Sequence, residues 1–322
     1  MHKQPTLKKT GGLDMSSRRD FLKTIAAGGL LLALPKIARP KSLAGLKRLV
    51  ILHSNDTHSQ IEPLPKTHHR FPGMGGYAVR SAFIKKVRSE GHPTMVFDSG
   101  DIFQGTPYYN MYHGEVEMKL MSEMGYTAAT IGNHEFDSGL DGLAEAMKHA
   151  DFDFISSNYH FKYPGIKERV SEYKVYERDG TRIGVFGLGV KPYGLIGSMQ
   201  FGNTGYSEPA IKAAEMAYKL KKEKKCDLVV CISHLGFKTY GDLLGDFELA
   251  KQSKNIDIIL GGHSHTLLKN PVTIYNSDKQ GVLITQNAYA GVRMTRLDCY
   301  FTKSGSLIFV DSHTTKIFKN QA

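Results

Sequence analysis

The chain has 322 residues, of which 41% are hydrophobic and 23% are charged. Such a chain can bury a substantial core, in one large domain or two small ones, so its composition excludes a mainly disordered protein. The formal net charge is +11, but nine Lys and Arg against two Asp within residues 1–44 account for +7 of it. The rest of the chain carries only +4, so we predict no nucleic-acid partner.

The basic N-terminal segment has the pattern of an export signal. Arg18 and Arg19 precede an apolar run over residues 24–35, within SSRRDFLKTIAAGGLLLALPKIARPKSLA. The segment resembles a twin-arginine signal peptide, a route that exports folded proteins and so suits one that binds a metal first. The run is shorter than the about 20 apolar residues of a stable membrane span. We predict processing after Ala44 and a periplasmic or otherwise exported protein, with a buried helix as the less favoured alternative.

Short apolar runs alternate with helical patterns after this leader. The runs LVILHS, TMVFDSG, AATIGN, DLVVCIS and IDIILGG predict strands. Apolar residues recur every four positions at Val79, Phe83 and Val87 and predict a helix, and further helices are predicted over residues 114–124 and 139–150. This alternation predicts an α/β layered fold that binds its ligands at the carboxyl ends of the strands.

Two regions depart from the alternation. The sequence YKVYERDGTRIGVFGLG places Asp179 and Gly180 between alternating segments, which predicts a β-hairpin. From Pro271 onward the sequence predicts strands and turns almost exclusively. We therefore expect a second, more antiparallel sheet packed on the first.

The chain contains three cysteines, Cys226, Cys231 and Cys299. Three thiols cannot all pair, and Cys231 lies in the apolar run DLVVCIS. We therefore expect small buried core residues, with one disulfide as the alternative in an oxidising compartment.

Five predicted strand ends carry side chains that can bind a metal. They are Asp56 and His58 in SNDTHS, Asp98 and Asp101 in DSGDIFQGTP, Asn133, His134 and Asp137 in GNHEFD, His234 in ISHLG, and His263 and His265 in GGHSH. Residues two apart in an extended segment project to the same side, so a pair with this spacing fits one cation. One such histidine is more often a satisfied turn or core residue. Five strand ends of this kind in one chain indicate a site.

The chemistry of these side chains narrows the metal. Imidazole, carboxylate and amide oxygen without thiolate suit manganese, zinc, iron or cobalt, and the sequence does not choose among them. A catalytic zinc ion typically uses about three protein ligands, which is fewer than this chain offers. Two ions about 3.5–4 Å apart, with one bridging carboxylate, would use the whole set. The sequence therefore predicts two divalent metal ions.

The turn IGNHEFDSG holds a second kind of candidate. Gly132 and Asn133 fit the backbone needs of a turn before a helix. That interpretation leaves His134 unexplained, because its ring titrates near neutral pH beside the Asp137 carboxylate three residues on. We interpret this pair as an arrangement for proton transfer.

The ordered motifs NDTH, GDIFQGTP, GNHEFD, SHLG and GGHSH resemble those of the calcineurin-like dinuclear metallophosphoesterases. Within that superfamily, GNHEFD and FQGTP point to the 5'-nucleotidase branch. The resemblance extends from residue 49 to the C terminus, so we predict one catalytic domain over residues 45–322. It implies a four-layer sandwich of two mixed β-sheets flanked by helices. It also implies hydrolysis of phosphomonoesters by attack of a metal-bound hydroxide.

The resemblance assigns roles to individual residues. The implied ligands of one ion are Asp56, His58 and His265, and those of the other ion are Asn133, His234 and His263. Asp101 is implied as the bridge between the two ions. Many nucleotidases have a glutamine at the position of His265. His134 and Asp137 are implied as catalytic, because His134 would stabilise phosphoryl charge or protonate the leaving oxygen while Asp137 holds its ring. Asn133 and His134 are also the candidates for contact with the substrate, and Asp98 and Glu135 have supporting or structural roles.

The substrate is the least determined part of this prediction. Full-length nucleotidases of the branch carry a second, substrate-recognising domain, and this chain ends at Ala322 shortly after the first. We expect a small phosphorylated substrate, with nucleotides favoured, and one version of the hypothesis has a separately encoded partner that supplies substrate binding. The alternatives keep the metals but hydrolyse phosphodiesters, nucleotide sugars or sulfur esters. A non-catalytic metal-binding subunit is disfavoured, because it gives His134 and Asp137 no purpose.

Overall fold

The computed structural model describes residue 43 and residues 45–318. The predicted twin-arginine leader and its cleavage point lie outside the described residues, so both stay predictions, as does the domain boundary drawn there. Over the described ranges, we find no helix with the length and apolar character needed to cross a bilayer.

The described residues form strands β1 (Lys47–Ser54), β2 (Thr94–Asp98), β3 (Ala128–Ala129), β4 (Asp153–Ile155), β5 (Tyr159–His160), β6 (Val170–Ser171), β7 (Tyr173–Arg178), β8 (Thr181–Gly189), β9 (Gly205–Tyr206), β10 (Leu228–His234), β11 (Ile258–Gly261), β12 (Val272–Tyr275), β13 (Gly281–Thr285), β14 (Arg293–Phe301) and β15 (Leu307–Lys316). The same residues form helices α1 (Tyr77–Arg88), α2 (Pro107–Tyr112), α3 (Glu115–Glu123), α4 (Gly139–Met147), α5 (Pro164–Lys167), α6 (Ser198–Phe201), α7 (Pro209–Tyr218) and α8 (Asp246–Gln252). A 3-10 turn spans His134–Phe136, and a π-helical turn, Lys219–Glu223, continues α7.

Two mixed sheets form the centre of the fold. The first has the order β15-β14-β1-β2-β3-β4-β6, and the second has the order β12-β13-β11-β10-β8-β7. Neighbouring strands from β1 to β6 in the first sheet are parallel, as are β8, β10, β11 and β13 in the second. The loops that follow these parallel strands therefore leave each sheet at its carboxyl edge.

Hydrophobic burial holds four layers together. Between the sheets, Ile51 and Phe97 of the first pack with Val230 and Leu260 of the second in one buried cluster. A second cluster covers the other face of the first sheet with residues of α1, α3 and α4, and a third covers the second sheet with residues of α7 and α8. The predicted four-layer sandwich of two mixed sheets flanked by helices is confirmed.

The predicted elements are present, with some differences in extent. The first predicted helix corresponds to α1, the second to α3 and the third to α4, which ends at Met147 rather than at Ala150. The run AATIGN contributes only the two residues of β3 to its sheet. The hairpin at Asp179 and Gly180 is confirmed by antiparallel pairing of β7 with β8. All three cysteines are free and buried.

The expectation of a separate antiparallel sheet after Pro271 is wrong. Strands β12 and β13 join the second sheet, while β14 and β15 join the first. The reason lies in the open edges of the parallel strands, since β14 pairs with residues Lys47–His53 of β1, and β13 pairs with β11. Both additions are buried, with Leu297 in the central cluster and Ile284 in the outer one.

Candidate metal centre

The predicted ligands lie at the carboxyl edges of both sheets. The first sheet contributes loops after β1, β2 and β3, and the second contributes the end of β10 and the loop after β11. These segments carry Asp56 and His58, Asp101, Asn133, His234, and His263 and His265, respectively. The structure brings all seven side chains into one site, as the sequence predicted. Their roles as ligands stay a prediction.

Five of these residues share an unusual backbone conformation. The φ angle is 49° at Asp56, 46° at His58, 54° at Asp101, 72° at His263 and 50° at His265. A left-handed conformation is uncommon outside glycine, and strain of this kind costs about 1–3 kcal/mol per residue. It persists where the surrounding fold imposes it, and it concentrates at functional sites. All five residues lie in the loops that follow β1, β2 and β11.

Asp56, His58 and His265 form the first group of potential ligands, whose ligand atoms all lie within 4.8 Å of one another. The His265 Nε2 atom is 2.9 Å from His58 Nε2 and 3.4 Å from an oxygen of Asp56. His58 Nδ1 lies 3.2 Å from the carbonyl oxygen of Phe103, so Nδ1 carries the proton. Burial also lowers the pKa of His58, which favours a neutral ring with the Nε2 lone pair directed into the group.

Asp101, His234 and His263 form the second group, with the same spacing limit. Fully buried His234 donates from Nδ1 to the Ser99 carbonyl oxygen at 2.6 Å, which leaves Nε2 facing the Asp101 carboxylate at 3.1 Å. Burial opposes a charge on His234, yet Asp101 outweighs it and raises the pKa of His234 to about 10. The site therefore favours a positive charge between these two side chains.

His263 joins Asn133 to this second group. Its Nδ1 atom is 2.9 Å from Asn133 Oδ1, and burial together with nearby His234 lowers the pKa of His263 to about 4. A ring with so low a pKa is neutral at pH 7 and keeps a lone pair for a cation. The Asn133 oxygen is a further donor atom in the same place.

Asp101 lies between the two groups. A third cluster within the same 4.8 Å limit contains His58, Asp101 and His134, so Asp101 is close to members of both groups. Burial works against ionisation of Asp101, but His234 and His58 beside it lower the pKa of this carboxyl well below its usual range. An ionised carboxylate here is close to both groups, and the bridging role that the resemblance implies for Asp101 stays a prediction.

The donor set fits divalent cations. The buried Nε2 atom of His234 lies beside the Asp101 carboxylate, and the Nε2 atoms of His58 and His265 lie 2.9 Å apart. Two ring nitrogens at this distance either share one proton or hold a cation between them, so the arrangement is compatible with a bound metal ion. Nitrogen and carboxylate oxygen donors without thiolate suit manganese, zinc, iron or cobalt, and the identity of the metal stays a prediction.

A glycine makes this close approach feasible. A Cβ atom on Gly262 would lie 2.8 Å from the Ser99 carbonyl oxygen and 2.9 Å from His234 Nδ1. Because glycine leaves that space open, the backbone N–H of His263 donates to both oxygens of Asp56 at 3.0 Å. The loop after β11 is thereby fixed against the loop after β1.

His134 and Asp137 lie at the open side of the centre. His134 Nδ1 is 2.9 Å from Asp137 Oδ2, and their side chains are 31% and 36% exposed. The hydrogen bond to Asp137 raises the pKa of His134 above its ordinary value. The ring centre is 5.3 Å from that of His58, and the backbone N–H donates to Asp101 Oδ1 at 2.9 Å. The ring is thus held beside the centre, accessible to a ligand.

Glu135 and Asp98 have structural roles at the site. The buried Glu135 carboxylate accepts from the backbone N–H groups of Asp101 at 3.0 Å, Ile102 at 2.6 Å and Gly132 at 2.6 Å. It therefore joins the loop after β2 to the loop after β3. Asp98 accepts from the Ser54 hydroxyl at 2.6 Å and from a backbone N–H of its own turn.

The sequence interpretation missed a polar layer beneath the ligands. Asn55 donates to Asp56 at 2.6 Å and to the Ala288 carbonyl oxygen, and it accepts from the backbone N–H of Asn287. His53 bonds the Ser99 hydroxyl at 2.9 Å, and burial lowers the pKa of His53 to about 3, so this ring stays neutral. Its signal in the sequence was a histidine inside the otherwise apolar run LVILHS.

Comparison of the sequence with known proteins shows a family model and relatives that it resembles. Residues 49–267 match the family model described as calcineurin-like phosphoesterase. The chain is 31% identical over 247 residues to a 5'-nucleotidase of Vibrio parahaemolyticus, which covers 73% of this chain and 43% of that protein. It is 27% identical over 312 residues to the trifunctional nucleotide phosphoesterase YfkN of Bacillus subtilis, which covers 84% of this chain and 20% of that protein.

A solved structure is also similar to this chain. The crystal structure of a 5'-nucleotidase precursor from Thermus thermophilus superposes with a TM-score of 0.74 at 30% identity, and the match covers 84% of this chain and 54% of that one. The chain therefore spans about half the length of this neighbour. It spans a fifth and less than half of the two relatives above.

Proposed function

The chain belongs to the calcineurin-like phosphoesterase family, a family of metal-dependent phosphoester hydrolases, and we propose that it hydrolyses phosphomonoesters, with nucleotides as substrates. Similarity to proteins named 5'-nucleotidase supports the choice of nucleotides. The match to the family model includes every predicted ligand, from Asp56 to His265.

One observation carries the proposal. The Asp101 carboxylate lies between two groups of potential ligands and faces the buried Nε2 atom of His234 at 3.1 Å. A single divalent ion needs fewer donors than this site holds, so the arrangement fits two ions that share Asp101. Asp56, His58 and His265 would hold one ion, and Asn133, His234 and His263 would hold the other.

The chain's own residues then divide the work. When bound, the two ions would supply a nucleophile from water near neutral pH and neutralise charge on the phosphoryl oxygens. Asn133 and His134 flank the place where the phosphoryl group would lie, so they orient it. The Asp137 carboxylate holds the His134 ring and favours its charged form, which donates a hydrogen bond to a phosphoryl oxygen or a proton to the leaving oxygen.

A substrate panel with defined metals tests this function. The protein, loaded with Mn²⁺ in one series and Zn²⁺ in another, is assayed with AMP, a cyclic nucleotide and bis-(p-nitrophenyl) phosphate. We expect phosphate release from AMP at a kcat/KM well above that for either diester. Preference for a diester would overturn the choice of monoesters, and inactivity on all three would contradict phosphoester hydrolysis.

A His134→Ala variant tests the role of the ring separately. Loss of a positioned acid typically lowers the rate by about 10²–10⁴-fold. We expect this loss on AMP together with an unchanged metal content, because His134 is not among the proposed ligands. His313→Ala, at an exposed histidine on β15, is the matched control. An unchanged rate in His134→Ala would exclude the ring from catalysis.

We also infer export of the mature protein, since residues 16–44 carry the twin-arginine pattern. Replacement of both Arg18 and Arg19 by lysine should leave the unprocessed protein in the cytoplasm. Cell fractionation with an antibody measures this. Normal export of the variant would contradict the inference.

A further inference from the structure

His53 is a buried histidine that lies behind the metal centre and bonds to both sheets. It lies near the end of β1 and is fully buried. Ile51, two positions earlier, belongs to the buried cluster between the sheets, so the His53 side chain projects to the same face, toward the second sheet. There its Nδ1 atom lies 2.5 Å from the hydroxyl of Thr285, the last residue of β13. A polar ring therefore lies where the sheets otherwise meet through apolar side chains.

The hydrogen bonds of its neighbours determine which nitrogen of His53 carries the proton. The Ser99 hydroxyl donates its single proton to the carbonyl oxygen of Leu260 at 2.7 Å. This hydroxyl can therefore only accept from His53, whose Nε2 atom lies 2.9 Å away and donates. Nδ1 then has a lone pair, which accepts from the Thr285 hydroxyl and faces the Asn287 amide nitrogen at 3.1 Å. The ring therefore donates on one side and accepts on the other.

The donating side of the ring leads to one group of proposed ligands. Ser99, whose hydroxyl accepts from His53, also has the carbonyl oxygen that accepts from His234 Nδ1 at 2.6 Å. That second bond directs His234 Nε2 toward Asp101, 3.1 Å away. Because both bonds belong to the same residue, the position of the His234 ring depends on the bond from His53 to Ser99.

The accepting side of the ring leads to the other group. The Asn287 amide nitrogen donates to the carbonyl oxygen of His53 at 3.0 Å and also faces its Nδ1 atom. The backbone N–H of Asn287 donates to Asn55 Oδ1 at 2.8 Å, and Asn55 donates to Asp56 Oδ2 at 2.6 Å. One residue thus separates His53 from His234, and two residues separate it from Asp56.

We propose that His53 is a positioning residue for both ions, because it holds His234 through Ser99 and Asp56 through Asn287 and Asn55. This inference rests on the proposed dinuclear centre, and it gives a role to a residue that is not among the proposed ligands. Groups that hydrogen-bond to metal ligands from outside orient them, and their loss typically lowers metal affinity by about 10–100-fold. Burial lowers the pKa of His53 to about 3, which keeps the ring in the neutral form that donates and accepts at once.

Calorimetric titration of chelator-treated protein with Mn²⁺ tests this role. His53→Ala removes both sides of the ring, so the affinity for Mn²⁺ should fall by about 10–100-fold. Asparagine places its amide near the position of Nδ1, and glutamine places its amide near that of Nε2. His53→Asn and His53→Gln each keep one side, so their affinities should lie between those of His53→Ala and the unmodified protein. Binding by His53→Ala within about twofold of the unmodified protein, or no weaker than by both amide variants, overturns the proposal.

The matched control removes a hydrogen bond between the sheets at their opposite edge. The hydroxyl of Tyr176 in β7 donates at 2.6 Å to Asp153 at the start of β4. Tyr176→Phe should lower the Tm of the metal-free protein but keep the affinity for Mn²⁺ within about twofold, whereas His53→Ala should lower both. Equal weakening of Mn²⁺ binding in the two variants would show a general effect of loosened sheets and would overturn the positioning role.

Ser99→Ala gives a second test for the case in which the His53 variants do not fold. It removes the hydroxyl that accepts from His53 but keeps the carbonyl oxygen that accepts from His234. Mn²⁺ binding should weaken about tenfold, and unchanged binding overturns the proposal. The titrations need no substrate, so they decide this inference even if the protein hydrolyses no phosphoester. An unmodified protein that binds no Mn²⁺ contradicts the proposed centre and this inference with it.

Discussion

At the level of single residues, the centre depends on which nitrogen of each histidine carries its proton. His58 and His234 both place Nδ1 against a carbonyl oxygen, so each directs Nε2 into the site. His134 differs, because its Nδ1 faces a carboxylate and its charged form is favoured. The same type of side chain therefore fits the proposed ligand role in two places and the proposed proton-donor role in a third.

Substitution of Asp137 should move the pH dependence of turnover. Asp137→Asn removes the hydrogen-bonded carboxylate that raises the pKa of His134, so that pKa should fall. A proton donor loses activity as the pH rises through its pKa, so the alkaline limb of the kcat profile on AMP should shift to lower pH. Asp141→Asn, at an exposed aspartate in α4, is the control. An unmoved limb would show that Asp137 does not set this charge.

Removal of the proposed bridge should affect both ions. Asp101→Asn takes the negative charge from the position between His58 and His234, so metal content measured by mass spectrometry should fall from about two ions per chain to below one. Asp179→Asn, at an exposed hairpin turn where asparagine tolerates the positive φ of 49°, serves as the control. Retention of two ions by the Asp101 variant would exclude the bridge.

At the level of elements, the loops after β2 and β3 work as one unit because Glu135 accepts backbone hydrogen bonds from both. The sequence predicted the residues of each loop, since Asp101 and Asn133 occur in short local motifs. It did not predict the bonds between the loops, which join positions 33 and 34 residues apart. Contacts of that kind depend on strand register, which a single sequence does not specify.

Weakening this connection should lower stability. Glu135→Gln keeps the shape of the side chain but replaces one accepting oxygen by an amide group that donates, so at least one buried backbone N–H loses its partner. Such a loss costs about 1–3 kcal/mol in the free energy of unfolding. Urea denaturation measures it, with Glu123→Gln at an exposed site of α3 as the control. Equal stability of the two variants would show that the hydrogen bonds accepted by Glu135 do not stabilise the fold.

At the level of the whole molecule, the layered fold could be predicted from the sequence, but the positions of the C-terminal strands in the two sheets could not. Apolar runs such as LVILHS mark buried parallel strands, and the alternation with helices such as α1 fixes the layer order. The sequence could not predict which sheets β14 and β13 join. Strand β14 pairs with β1 at the other end of the described chain, and β13 pairs with β11 across the intervening β12. The polar layer around Asn55 escaped prediction for the same reason, since it bonds residues 232 positions away.

Because the proposed ligands come from both sheets, ion binding should stabilise the whole sandwich. Asp56, Asp101 and Asn133 lie in loops that follow strands of the first sheet. His234 ends a strand of the second sheet, and His263 follows another strand of that sheet. A ligand that binds only the folded state at 100 times its Kd adds about 2.7 kcal/mol, and each kcal/mol raises Tm by about 2–4 °C in a domain of this size. Calorimetry should therefore show a Tm increase of roughly 5–10 °C when Mn²⁺ is added to protein treated with a chelator.

The Asp101→Asn variant decides whether this stabilisation arises at the proposed centre. Without the Asp101 carboxylate that is proposed to bridge the two ions, the same Mn²⁺ concentration should raise Tm much less, because fewer ions then connect the two sheets. An equal increase in the variant and in the unmodified protein would place the bound ions elsewhere. It would also show that the proposed ligands at the strand ends do not account for the stabilisation by metal. Ions can connect the two sheets only where ligands from both sheets meet.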